Sequence, residues 1–274
     1  MLNLDPSIPS KILVAGAAQF SYLERGKGTA LVLLHGLGSA AKSWHYQLAG
    51  LSDAYHVLAW DAPGYGKSSG LAAESPDAGD YARSLAAFLD RLGIRKLHLV
   101  GQSLGAIMAA RFAAEYPERI LSLTLTSPAS GDARLPEAER ARRADERLED
   151  LKTLGPRGLA KKRGPRLVSA NAPKETRNAA IETMAMIRPD GYSRALRMLS
   201  IADTRADVAR LRADLRVLFV CGDADEITPP ESVHAIAAER PEAPLHVIPG
   251  AGHAVYLERP VDFNALLREF LTGW

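Results

Sequence analysis

Residues 101–105 read Gly-Gln-Ser-Leu-Gly, a G-x-S-x-G pattern set directly behind the apolar run LHLV and ahead of a segment with helical spacing. A strand that breaks into such a turn and restarts as a helix presents one serine hydroxyl, here Ser103, at the edge of a sheet. The two glycines let strand and helix approach closely, and the first turn of the helix aims free N–H groups toward the serine oxygen. A serine held this way is a candidate nucleophile, but it needs a general base and a group to orient that base.

Both can be found downstream, in the order acid then histidine. The run LRVLFVCG (215–222) reads as a buried strand and passes into DADEITPP, a polar turn carrying Asp223 and Asp225 and closed by Pro229 and Pro230. A second short apolar strand, 245–248, passes into PGAGHAVYLERP, where His253 sits among small residues. Serine, acid and histidine following three strands, in that order, are the parts of an acyl-transfer site.

Two further blocks widen the match. Strand 31–34 enters HGLG (35–38), and strand 56–60 enters DAPGYGKS (61–68). From about Tyr22 onward the chain resembles the α/β-hydrolase superfamily: HGLG is similar to that family's oxyanion loop, DAPGYGKS to its D-x-P-G-x-G-x-S turn, and GDADEITPP and GAGHAVYLERP to its acid and histidine loops. The resemblance implies a catalytic triad of Ser103, Asp225 and His253, with Asp225 preferred over Asp223 because the family acid stands three residues after the strand-ending glycine, here Gly222. It also implies an oxyanion hole built from the backbone N–H groups of Leu37 and Leu104. His35 is then a hydrogen-bonding residue that fixes the oxyanion loop, and Asp223 caps its turn.

The resemblance leaves the reaction open, because the fold hosts many chemistries. A serine nucleophile argues against the dehalogenases and epoxide hydrolases, which use aspartate. A carboxylic ester or lactone hydrolase, enol-lactone hydrolases included, ranks first. A C–C bond hydrolase of ring-cleavage products ranks second, since those enzymes commonly carry tryptophan after the catalytic histidine and Ala254 stands there instead. A lyase, a cofactor-free oxygenase or a ligand receptor on the same fold is the third alternative.

The elements that must position these residues follow from hydrophobic period. Strands fall near 12–15, 19–25, 31–34, 55–60, 96–100, 120–126, 215–221 and 245–248; helices fall near 41–49, 78–92, 104–116, 230–240 and 260–272. After an opening hairpin this alternation predicts a mostly parallel sheet covered on both faces. Between 130 and 213 the strand pattern gives way to charged helical stretches broken at Pro136, Gly155-Pro156, Gly164-Pro165, Pro173 and Pro189. The resemblance implies that 130–213 is a helical cap inserted into a core formed by 1–129 and 214–274.

Residues 131–213 hold 19 Lys and Arg against 12 Asp and Glu, whereas the whole chain of 274 residues carries a net charge of only +2. Most of these charges fit a solvated helical surface, but a basic lid could also gather an anionic substrate. Arg188 is the candidate for a substrate carboxylate, and Trp44, Met184, Met186 and Tyr192 are the candidate pocket walls.

The remaining features set bounds. A single cysteine, Cys221 in a strand, precludes an internal disulfide and suits a reducing compartment. The seven histidines form no H-x-x-H or H-x-x-x-H pair and have no cysteine cluster to join, so no metal site is indicated; no cofactor is expected. GKS at 66–68 lacks the upstream glycine of a phosphate-binding loop, because Asp61 occupies that position. G-x-G-x-x-A at 36–41 is too weak to carry a dinucleotide site. No apolar run approaches the roughly 20 residues of a membrane span. The expectation is a cytoplasmic monomer or homodimer acting on a small molecule, without nucleic-acid or membrane partners.

Overall fold

Eight strands form one sheet in the order β1-β2-β4-β3-β5-β6-β7-β8. They are β1 (Lys11–Ala15), β2 (Ala18–Arg25), β3 (Ala30–Leu34), β4 (His56–Trp60), β5 (Leu97–Gln102), β6 (Ile120–Thr126), β7 (Arg216–Gly222) and β8 (Leu245–Ile248). The computed structural model describes residues 8–272, so the outermost ends of the expected core lie outside the described residues. β2 pairs antiparallel with β1 and β4, and every other pairing is parallel. β3 and β5 are buried throughout, as parallel strands covered on both faces must be.

Period-two alternation splits the core into two layers. Val32 and Leu34 face a cluster built with α2 (Ala78–Arg91), α3 (Leu104–Glu115) and α8 (Pro230–Ala237). Leu31 and Leu33 face the opposite cluster, closed by α1 (His45–Leu51) and α10 (Pro260–Thr272). β3 is flanked by β4 on one side and β5 on the other, so the strand order reverses between β3 and β5. In open parallel sheets a crevice forms outside the carboxyl ends of the strands at such a switch. The loops leaving β3 and β5 are HGLG and the Ser103 turn.

Between β6 and β7 the chain leaves the sheet for α4 (Glu137–Arg163), α5 (Lys174–Met184), α6 (Pro189–Ile201) and α7 (Thr204–Ala209). α4 is kinked at Gly155, whose φ of 63° only glycine adopts freely, with Pro156 next. Many of its charges pair along its own surface, Arg142 and Arg143 with Glu139 and Arg163 with Asp150 among them. Two elements differ from the expected pattern. The first helix opens as a 3-10 turn over Ala41–Trp44, where the Ser43 hydroxyl bonds back to the Ala40 carbonyl. A four-residue helix, α9 (Val255–Glu258), follows His253 and is too short to leave a periodic signal.

Two buried groups on the sheet titrate abnormally. Burial pushes the Cys221 thiol up to about 11, which keeps it protonated and inert. His98, on β5 beside the Ser122 hydroxyl at 2.8 Å, is lowered to about 4 by burial and by Arg216. The unfolded chain takes up that proton near pH 6.5, so His98 contributes stability above that pH which is lost as pH falls toward 4. Urea unfolding of a His98→Asn variant, which cannot titrate there, is expected to lose less stability between pH 6.5 and 4 than the wild type. Equal losses would show that His98 does not contribute.

Candidate active site

Ser103 stands between β5 and α3 with φ 54° and ψ −113°, a conformation costly for a residue with a side chain. The packing that holds it there leaves no room beside the turn. A side chain on Gly101 would run into the Gly105 carbonyl, and one on Gly105 would run into the Leu34 carbonyl at the end of β3. The backbone is locked further by Ser103 N–H donating to the Thr126 carbonyl at 3.1 Å. The strain therefore projects Ser103 out of the line of β5, at the switch point of the sheet.

His253 reaches the same region from the loop after β8 and is 2% exposed. Its Nδ1 lies 2.9 Å from Asp225 Oδ2 and 3.1 Å from Oδ1, so Nδ1 carries the proton and Nε2 is left as a base. Burial by itself would push the Asp225 carboxyl up. The imidazole and the N–H groups of Thr228 and Ile227, which donate to Oδ1 at 2.9 and 2.8 Å, more than offset this and hold it below the usual carboxylate range. Asp223 is turned away from this pair and accepts the Gly250 N–H at 2.6 Å, tying the acid loop to the histidine loop.

The loop after β3 is fixed by His35. Its Nε2 accepts the Ala62 N–H at 3.1 Å, which requires the proton on Nδ1, 2.8 Å from the Gly36 carbonyl. Burial lowers the His35 pKa and keeps this ring neutral. The Tyr65 hydroxyl, its pKa raised well above normal by burial, donates to the Leu37 carbonyl at 2.9 Å. With that carbonyl pinned, the Leu37 N–H finds no acceptor among the described residues. Leu104 is the first residue of α3, a position whose N–H has no partner within its own helix.

These groups converge on a cavity of about 550 Å³ lined by Leu37, Ser103, Leu104 and His253 from the core loops and by Leu167, Thr183, Met184 and Tyr192 from the helical insertion. Ser103 and His253 are not hydrogen-bonded to one another in this arrangement; such bonds often tighten only around bound substrate. A family model described as alpha/beta hydrolase fold matches residues 29–260. The chain belongs to the alpha/beta hydrolase family.

Within that family it is 34% identical over 261 residues to the dihydrolipoyllysine-residue acetyltransferase component of the acetoin cleaving system of Cupriavidus necator. That match covers 92% of this chain but 66% of the relative, so the chain spans just under two thirds of that protein. It is 30% identical over 291 residues to a 2-hydroxy-6-oxo-6-phenylhexa-2,4-dienoate hydrolase of Burkholderia cepacia, with all of both chains covered. Among solved structures it resembles a thermophilic esterase from Thermogutta terrifontis with malate bound, at TM-score 0.85 and 26% identity, covering 96% of this chain and 98% of that one.

Three expected pocket residues of this hydrolase-fold chain lie elsewhere. Trp44 is fully buried, its ring stacked 3.9 Å from Tyr256 in the core layer under α1, and it does not line the cavity. Met186 lies two residues beyond the end of α5, so it turns away from Met184; it is 50% exposed, and its sulfur sits 2.9 Å from Lys42 Nζ. Arg188 precedes Pro189 in an extended conformation and donates to the Ser68 carbonyl at 2.9 Å and to Asp190. It clamps α6 to the turn after β4, where Gly191 packs against Gly64 so closely that neither tolerates a side chain.

Other contacts at the site could not be read from the sequence. The Thr228 hydroxyl lies 2.9 Å from Asp225 Oδ2, 3.1 Å from His253 Nδ1 and 3.1 Å from the Ser127 carbonyl, bracing acid and base together. Gln102 Nε2 donates to the His253 carbonyl at 3.3 Å. Glu258 accepts the Gly252 N–H at 2.8 Å and the Ser169 N–H at 2.9 Å, while Ala254 N–H donates to the Leu167 carbonyl at 2.7 Å. His253 is thereby clamped on both sides to the helical insertion. The only advance signal was the spacing of small residues around it, since a side chain on Gly252 would strike the backbone of Val168 and Ser169. Among the described residues no group of three or more His, Cys, Asp or Glu could hold a metal, and no helix is long and apolar enough to cross a membrane.

Proposed function

We propose that this chain is a serine hydrolase that cleaves a carboxylic ester or lactone through an acyl-enzyme intermediate. The observation that carries the proposal is a serine strained out of its strand into the lining of a cavity that also holds a histidine oriented by a buried carboxylate. Ser103 Oγ attacks the substrate carbonyl carbon as His253 Nε2 takes its proton. The negative charge passes to the carbonyl oxygen, where the Leu37 and Leu104 N–H groups are free to receive it. Collapse expels the alkoxide, protonated by His253, and leaves the acyl group on Ser103. Water, deprotonated by the same histidine, then attacks the acyl carbon and releases the acid. Asp225 stays ionised throughout, holds the Nδ1–H tautomer and stabilises the imidazolium. The insertion acts as a cap over Ser103, supplying both apolar side chains such as Leu167 and Met184 and a group of arginines.

Similarity to the Thermogutta terrifontis esterase supports the ester reading. The full-length similarity to the dienoate hydrolase favours a second one, cleavage of a C–C bond by the same three residues. The experiment that decides is a panel of p-nitrophenyl esters of graded chain length, several lactones and a 2-hydroxy-6-oxo-dienoate. Turnover of an ester or lactone well above that of the dienoate is expected. Cleavage of the dienoate alone would transfer the assignment to the second reading.

A further inference from the structure

Six arginines line the cavity over Ser103: Arg134, Arg143, Arg147, Arg163, Arg166 and Arg205. Five of them meet a carboxylate. Arg134 pairs with Asp203 at 2.9 Å, Arg143 with Glu139 at 2.8 Å, Arg163 with Asp150 at 2.6 Å, Arg166 with Glu226 at 3.9 Å and Arg205 with Glu239 at 2.7 Å. Arg147, midway along α4 and partly buried, has no ion pair and no hydrogen bond to any described residue. The carboxylate whose field reaches it, Asp132, is bonded to Arg143 at 3.3 Å. Its other charged neighbours are Arg143 and Arg163, of its own sign.

A guanidinium partly withdrawn from water without an anion is disfavoured, and two cations nearby worsen its position. Burial accordingly lowers its pKa. Tyr192, buried on α6, is the neutral neighbour of Arg147, lines the same cavity, and offers a hydroxyl that bonds to no described residue. A planar fork of donors and a phenol, both unpartnered in one cavity, match a carboxylate.

We infer that Arg147, assisted by Tyr192, is the subsite for a carboxylate carried by the substrate apart from its reacting carbonyl. The substrate class is then a half-ester of a dicarboxylic acid, or a lactone bearing a carboxylate. This inference rests on the ester and lactone reading above and assigns to Arg147 the part that the sequence suggested for Arg188. Arg147 is a specificity residue, and Ser103, His253 and Asp225 are unaltered by it.

The test compares mono-p-nitrophenyl glutarate, an anion at neutral pH, with p-nitrophenyl pentanoate, neutral and of the same chain length. The ratio of their kcat/KM values is measured for the wild type, Arg147→Gln and Arg147→Lys, with thermal melting to verify that the variants fold. Loss of a charge-assisted hydrogen-bonded pair is expected to lower the ratio by about tenfold to a hundredfold in Arg147→Gln, with Arg147→Lys retaining part of it. A ratio within about twofold of the wild type in both variants would overturn the inference. Calorimetric titration of glutarate itself is the second measurement, since it needs no turnover. If the wild type cleaves neither ester, the hydrolase reading fails on its own, and glutarate binding still decides the role of Arg147. Binding weakened about tenfold or more in Arg147→Gln supports the subsite, whereas no binding, or equal binding by both proteins, contradicts it.

Discussion

Ser103→Ala is expected to leave the protein folded and to lower kcat for its ester or lactone substrate by about a thousandfold or more. The alanine fits the space of the serine, and the strained turn is held by the close approach of Gly101 and Gly105 to their neighbours rather than by the hydroxyl. His253→Ala should cost a comparable factor, and Ser103→Ala/His253→Ala should be hardly worse than either single variant. Residues that act as one device fail together, and the residual rate comes from binding and from the Leu37 and Leu104 N–H groups. Steady-state kinetics with matched melting temperatures measures this. Multiplicative losses in the double variant would show that serine and histidine act independently.

Asp225→Asn is expected to lower kcat by a factor on the order of 10² to 10⁴, with little change in KM, because the amide no longer stabilises the imidazolium and can select the wrong tautomer. Asp223→Asn should retain most activity, since Asp223 bonds to the Gly250 N–H and not to His253. The pH profile separates the two further. Asp225 is held below the usual carboxylate range, so in the wild type its charge persists as pH falls through the ordinary Asp region and protonates only at lower pH. An inactive Asp223→Asn beside an active Asp225→Asn would place the acid two residues earlier.

Much of this was legible in the sequence for definite reasons. β3, β5 and β7 are almost wholly buried and therefore read as largely apolar runs, and β5 and β7 end where a glycine, Gly101 or Gly222, must sit against a neighbouring backbone. Ser103, Asp225 and His253 stand at such strand exits, which local spacing reveals. The cavity wall is different, because it depends on which face of a helix turns inward. Met184 and Met186 are two residues apart, but the helix ends at Met184 and the chain turns after it, leaving one 4% and the other 50% exposed. Arg147 and Arg188 look alike in a basic segment. They are distinguished by partners far away in the chain, a Ser68 carbonyl that engages Arg188 and a set of carboxylates that all bond to arginines other than Arg147. Trp44 lies on the expected first helical segment, but it faces Tyr256, more than 200 positions on. Thr228 and Glu258 gained their roles in the same way, through contacts with loops that no local pattern encodes.

The proposed nucleophile is Ser103 Oγ, activated by His253. Reaction with a fluorophosphonate followed by peptide mass spectrometry addresses it directly, because only an activated serine attacks that phosphorus readily. One adduct per chain on the peptide carrying Ser103 is expected, formed in step with loss of esterase or lactonase activity and greatly slowed in His253→Ala. Activity that survives complete modification of Ser103, or inactivation with the adduct on another residue, would exclude Ser103 as the nucleophile.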